Sequence, residues 1–127
     1  MDKKVAFGFI LTLMIVAFVP IYWIGEPSRQ AAAVERQQHE SAELGAHTYI
    51  QVCTQCHGQS GEGLIGPALR DTALSAEALE KAITNGIPNT AMIAWAYDYG
   101  GPLSKHQITN LVTFIVHWDD SMLESGE

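Results

Sequence analysis

Residues 5–24 form an almost unbroken apolar run with no charged side chain, and 20 such residues are about the length that crosses a bilayer core as a helix. The pattern then turns polar. Residues 26–44 are rich in helix formers but lack a continuous apolar stripe, with Ser28 as a candidate N-cap after Pro27. Arg36 with Glu40, and His39 with Glu43, are spaced to pair one turn apart. This stretch reads as a solvated helical stalk, or a helix laid on a partner protein, with a domain boundary near Ser41.

From residue 45 the periodicity becomes that of a folded domain. Ala46, Tyr49, Ile50 and Cys53 recur at three-and-four spacing, and the small residues Gly45 and Ala46 would let a second helix approach closely. Residues 74–86 predict a helix capped by Ser75, stapled by Leu74 and Leu79, striped by Leu79, Ala82 and Ile83, and ended by Gly86 and Pro88. Residues 87–102 lose the pattern in a long loop carrying Met92, Trp95, Tyr97 and Tyr99, and a loop of that length in a small domain is usually functional. Residues 104–118 predict the firmest helix of the domain. Ser104 and Gln107 make a capping box, and Ile108, Leu111, Val112 and Ile115 form one apolar face, with Asn110, Thr113 and His117 on the polar side. The acidic residues 119–127 are expected to fray. The expected fold class is all-α: anchor at 1–25, polar stalk at 26–44, a small helical domain at 45–118 and an acidic tail at 119–127.

Lys3 and Lys4 precede the apolar run, which favours a cytoplasmic N-terminus and an exported C-terminus, although Arg29 and Arg36 weaken the bias from the other side. Tyr22 and Trp23 stand where an interfacial aromatic belt is expected, and Pro20 is near enough the end to be tolerated. Ala31-Ala32-Ala33 offers the small residues of a signal-peptidase site. The run is nevertheless longer than a usual signal core and the alanines lie well beyond it, so a retained single-pass anchor in the cytoplasmic membrane is the expectation.

Composition changes the picture in one respect. Hydrophobic content of 47% is ordinary, but beyond residue 25 there are five basic against thirteen acidic residues, a formal charge of −8. Nucleic acid is therefore not an expected partner, and a basic surface on another protein suits the balance better.

The candidate chemistry lies in Cys53-Thr54-Gln55-Cys56-His57, which holds both cysteines of the chain. Cys-x-x-Cys-His is the attachment signature of c-type haem: the two thiols form thioethers to the vinyl groups and the histidine ligates iron. A redox dithiol would want a strand before it and a helix after it, whereas a helix precedes this motif and a Gly-rich loop follows. A structural zinc site would need two further close ligands, and none is near in sequence. Gly61-Glu62-Gly63-Leu64-Ile65-Gly66 matches the dinucleotide fingerprint in letters only, because no strand precedes it and Pro67 follows at once. Its glycines are expected to let the backbone turn tightly against the haem.

Taken together, helix, Cys-x-x-Cys-His, a Gly-rich loop with Gly66-Pro67, a middle helix, a methionine loop and a closing aliphatic helix resemble a class I cytochrome c domain over residues 45–118. The resemblance implies that the first and last helices cross beside one covalent haem, with Gly45 and Tyr49 against the face carrying Leu111 and Ile115 and with Phe114 at its edge. It implies His57 as proximal ligand, oriented by the Pro67 carbonyl, and Met92 as the sixth ligand. Met92 is the one methionine in the loops of the domain, although Ile93 stands where related domains often have proline. Bis-histidine ligation or an open site remains the alternative, with His39, His47, His106 and His117 as the other histidines. Trp95, Arg70, Tyr97 and Tyr99 are candidates to hold a haem propionate, Trp95 first among them.

With both axial positions filled by the protein, the function implied is outer-sphere electron transfer on the periplasmic side, without enzymatic chemistry of its own. Partners would be subunits of a membrane-embedded redox complex, with an upstream haem or iron–sulfur donor and a downstream acceptor. Anchor, stalk and single domain together are similar to the monohaem subunit of alternative complex III, a quinol-oxidising assembly. A donor or subunit of a terminal oxidase or reaction centre is the nearest rival, and a haem-based ligand sensor or peroxidase the reading from another class.

Overall fold

Proline inside a helix removes one backbone donor, yet neither Pro20 nor Pro27 ends the first helix. In the computed structural model, which describes residues 2–124, α1 runs unbroken over Lys3–Val52. The predicted restart at Ser28 does not occur. The Ser28 hydroxyl donates to the Gly25 carbonyl (2.8 Å) rather than capping a helix start. Thr12 bonds back to Gly8 in the same manner (2.9 Å). Arg36 donates from Nε to the Ala32 carbonyl (3.2 Å), so its predicted pairing with Glu40 gives way to a backbone contact, whereas His39 and Glu43 approach to 3.5 Å as their spacing suggests.

The chain divides into two units, one up to Arg36 and one from Gln37 onward. The first consists of the N-terminal part of α1. Its apolar window is long enough to cross a membrane and is wholly exposed within the chain, Phe7, Phe18 and Trp23 included.

The second unit is all-α. After α1 come α2 (Thr54–His57), α3 (Ala76–Asn85), a 3-10 turn (Tyr97–Tyr99), α4 (Lys105–Val116) and α5 (Asp120–Glu124). No strand forms among the described residues, although one bridge joins Ala96 to Leu103. The caps expected from sequence are present. Ser75 accepts from the Ala78 N–H, and both arms of the Ser104–Gln107 box are made. Such caps are worth about 1 kcal/mol each.

Gly45 is where α1 and α4 touch. A Cβ there would strike the Asn110 backbone carbonyl and come within 2.7 Å of Phe114 Cβ. Gly45 thus meets α4 at Asn110 and at Phe114, the expected edge of the Leu111 and Ile115 face, so the contact is centred one position round from expectation, because the missing Cβ of Gly45 leaves room for a backbone-to-backbone approach. Asn110, read from sequence as polar-side, is 4% exposed, and Phe114 is fully buried. Beside this crossing Tyr49, Phe114 and Trp118 pack as an aromatic cluster, with Tyr49 edge-on to Trp118 at 5.1 Å and Phe114 4.6 Å from it. On the other side of α4, Leu79 and Ile83 of α3 join Leu103, Ile108 and Ile115 in the core.

Two stretches are more ordered than their composition suggests. The loop between α3 and α4 is tied to its surroundings, Trp95 N–H donating to the Ile83 carbonyl and Leu103 N–H to the Trp95 carbonyl (both 2.9 Å). The acidic tail does not fray over residues 119–124. Asp119 accepts from the Ser121 N–H and hydroxyl, α5 forms, and Met122 is buried. The remainder of that tail, residues 125–127, lies outside the described residues.

Candidate functional site

The end of α1 delivers Cys53, and α2 follows immediately with Cys56 and His57. The Tyr49 hydroxyl, one turn earlier, donates to the Gly58 carbonyl at 2.6 Å, which ties the two sides of the motif together. Burial above all raises the Tyr49 pKa well above the usual phenol range, so this donor keeps its proton. Beyond Gly58 the chain folds back over α2, with Gly63 N–H on the His57 carbonyl and Gly66 N–H on the Cys56 carbonyl (both 2.8 Å). Gly61 and Gly63 have positive φ, which the turn requires.

The loop sets the imidazole. His57 is 8% exposed, and its Nδ1 lies 2.8 Å from the Pro67 carbonyl oxygen. A carbonyl can only accept, so that nitrogen carries the proton and Nε2 presents a lone pair, the state in which a histidine binds metal. Gly66 lies flat against the ring, since a Cβ there would fall 2.7 Å from Cε1. The glycines do turn tightly, and the atoms they press against include the His57 ring and, at Gly61, the Trp118 ring.

Cys53, Cys56, His57, Pro67, Met92 and Trp95 all line one predominantly apolar cavity of about 340 Å³, closed by aliphatic side chains of α3, α4 and the intervening loops. Its size is typical of a cofactor pocket. Met92 reaches it through a compact turn. Pro88 and Asn89 occupy the turn centre with Asn89 at positive φ, Ile87 N–H donates to the Met92 carbonyl (2.9 Å), and Met92 N–H donates to the Thr90 hydroxyl (3.2 Å). Gly86 makes room for the turn, for its Cβ would meet the Met92 carbonyl at 2.7 Å.

Arg70 is not brought into the cavity. Its guanidinium donates to Asp120 instead. His39, His47, His106 and His117 are all exposed and none lines the cavity, and Tyr97 and Tyr99 are likewise exposed. A more open cleft of about 520 Å³ lies between residues 71–74 and 115–122 and contains His117, but neither cysteine reaches it. The cavity with the cysteines, an oriented imidazole and a thioether has the donor set that haem c requires, and its apolar walls suit a large flat macrocycle. Burial, then the neighbouring Cys56, pushes the Cys53 thiol up to about 12, so Cys53 is not the ready thiolate that a redox dithiol uses. Among the described residues no three His, Cys, Asp or Glu converge as a metal-ion site. Sequence reasoning missed the Gly66–His57 packing, the Thr90 support of Met92 and the link from Arg70 to Asp120. Only the second leaves a local trace, as a Thr two residues before the methionine.

Comparison with known proteins agrees with this reading. Residues 40–115 match the family described as cytochrome c oxidase, cbb3-type, subunit III. Over 68 residues the chain is 41% identical to cytochrome c55X of Stutzerimonas stutzeri, covering 51% of this chain and 56% of that protein, so it spans little more than half the length of this relative. No solved structure gives a significant match. The match to the family model covers more than half of the chain and includes the Cys-x-x-Cys-His motif, the Gly-rich loop, Met92 and most of α4: the chain belongs to this family of c-type cytochromes.

Proposed function

We propose that the chain carries one haem c, joined to Cys53 and Cys56 and ligated by His57 Nε2 and Met92, and that it passes single electrons as a membrane-anchored carrier. The observation that carries this is the shared cavity, in which both thiols, the oriented imidazole and Met92, the only methionine lining it among the described residues, meet. The bound group would supply a one-electron iron couple, and a thioether ligand raises its potential. The protein's own part is to fix the His57 tautomer through Pro67, to support Met92 through Thr90 and to wall the cavity with apolar side chains. Trp95, whose indole carries a donor, is the residue we assign to a propionate. Arg70 is engaged by Asp120 and is left out of that role.

Residues 5–24 serve as the anchor, and with Lys3 and Lys4 cytoplasmic the domain from residue 45 onward stands on the periplasmic side. The anchor raises the local concentration of the carrier near membrane partners. Those partners would be a haem or iron–sulfur donor and an electron acceptor within a membrane oxidoreductase. A quinol-oxidising complex similar to alternative complex III is supported by the order of anchor, stalk and single domain. A second reading, a subunit or dedicated donor of a terminal oxidase, is favoured by the description of the matched family.

The test is the visible spectrum of the oxidised full-length protein. The weak near-red sulfur-to-iron band is expected, it should vanish in Met92→His, and the reduced wild type should not bind carbon monoxide rapidly. A missing band with rapid carbon monoxide binding would instead support a sensor or peroxidase. Mild-detergent extraction, followed by identification of the proteins that migrate with the haem stain, distinguishes the two complexes.

A further inference from the structure

Residues 61–70 form a loop closed at its base, where the Gly61 carbonyl accepts from the N–H groups of both Leu69 (2.9 Å) and Arg70 (3.1 Å). The Pro67 carbonyl that orients His57 sits toward the crest of this loop. The crest is tied to α2, with the N–H groups of Leu64 (3.2 Å) and Gly66 (2.8 Å) on the Cys56 carbonyl, which leaves the stretch from Pro67 to the base to be held from elsewhere. The base is held from outside at both ends. At Gly61 the Trp118 ring packs so closely that a Cβ would come within 2.8 Å of Cζ2, and at the other end Arg70 donates to Asp120 Oδ2. The Trp118 indole N–H donates to the other oxygen of the same carboxylate, Oδ1, at 2.9 Å. One carboxylate therefore links both ends of the base.

We propose that Asp120 is a positioning residue for His57: by joining Arg70 to Trp118 it fixes the loop base and, through the loop, the Pro67 carbonyl that holds the Nδ1 proton. This rests on the reading of His57 as the haem ligand. The mechanism is leverage. Pro67 lies between the crest, which Gly66 N–H pins to the Cys56 carbonyl, and the base, so a base free to tilt would move the Pro67 carbonyl relative to His57. The Arg70 and Asp120 side chains are 42% and 49% exposed, so the pair is modest in strength and is screened by salt.

The test uses the full-length protein with haem attached, reduced and labelled with nitrogen-15 histidine, and follows exchange of the His57 Nδ1 proton into deuterium by NMR. At low salt, Asp120→Asn and, independently, Arg70→Gln should speed exchange by about threefold, the scale of a half-exposed ion pair. Asp120→Glu should recover most of the protection. Val112→Ala, a core change on α4, gives a general loss of stability and should leave the rate unchanged. In about 1 M sodium chloride the wild type should approach the Asp120→Asn rate, because the Debye length falls to about 3 Å. Equal rates for wild type and both charge variants would overturn the proposal, as would equal acceleration by Val112→Ala or a difference indifferent to salt. Failure of the wild type to acquire covalent haem would sink the reading of the cavity and this inference with it, whereas attached haem with equal rates sinks this inference alone.

Discussion

Replacing Gly66 by alanine isolates the packing of the loop on the ligand ring. Gly66 is not at positive φ, so the new residue is tolerated by the backbone, and only the space is at issue. The added Cβ would lie 2.7 Å from His57 Cε1 and 3.0 Å from Nδ1. If the ring retreats, the 2.8 Å contact with the Pro67 carbonyl is stretched, and if the loop retreats, the 2.8 Å bond from Gly66 N–H to the Cys56 carbonyl is stretched. Either route costs about 1 kcal/mol for the hydrogen bond and about 1–3 kcal/mol for overpacking. The lower chain entropy of alanine in the unfolded state returns about 0.4–1 kcal/mol. The net loss is about 2 kcal/mol, which for a unit of this size lowers the melting temperature by about 10 °C. Thermal unfolding of the haem-loaded protein, followed by circular dichroism, measures this, and His57 Nδ1 proton exchange shows which route the structure takes. A variant that melts within about 2 °C of wild type, with His57 exchange unchanged, would refute the steric argument.

Two further outcomes follow from groups outside the ligand set. Tyr49→Phe keeps the aromatic packing on Phe114 and Trp118 but leaves the buried Gly58 carbonyl with only the long bond from Gly61 N–H (3.4 Å), so about 1 kcal/mol should be lost in denaturant unfolding, with little change in the spectrum. Asp119 is held below the usual carboxylate range, first by the Ser121 hydroxyl and then by its N–H. A depressed folded pKa contributes stability above the unfolded value of about 3.9 and loses it as pH falls through the folded one. The difference in melting temperature between wild type and Asp119→Ala should accordingly be largest near neutral pH and close as the solution is acidified below about 4. A difference that is constant with pH would show that the carboxylate charge has no part in starting α5.

What could be read from the sequence was whatever is local. Caps at Ser75 and Ser104, the stripe of α4, the apolar run and the Cys-x-x-Cys-His spacing each depend on neighbours within a turn or two, and each is found where the pattern put it. The continuity of α1 was missed because the breaker strength of Pro27 was overrated: helix formers on both sides bridge one missing donor. The exact face of the α1–α4 contact was missed because it depends on which residue lacks a Cβ opposite which carbonyl, and Gly45 and Asn110 are remote in sequence. Arg70 misled for a similar reason. Its guanidinium suits any carboxylate, and the one it finds lies 50 residues away in a segment whose acidic composition suggested solvent.

The bond from Tyr49 to Gly58 has a consequence for the order in which the domain assembles. It closes a separation of nine residues around Cys53, Cys56 and His57, whereas the contact of Gly45 with Phe114 closes one of 69. Loop-closure entropy grows as the logarithm of the separation, so the second closure costs about 2 kcal/mol more than the first. The Pro67 carbonyl is also nearby in sequence, ten residues from His57. The thiol and imidazole wall of the cavity is therefore the part that costs least chain entropy to close, and the docking of α4, which brings Trp118 and Asp120 to the loop, costs more. On chain entropy alone, the closure around the motif is thus favoured over the docking of α4, and the small separation is what makes it so.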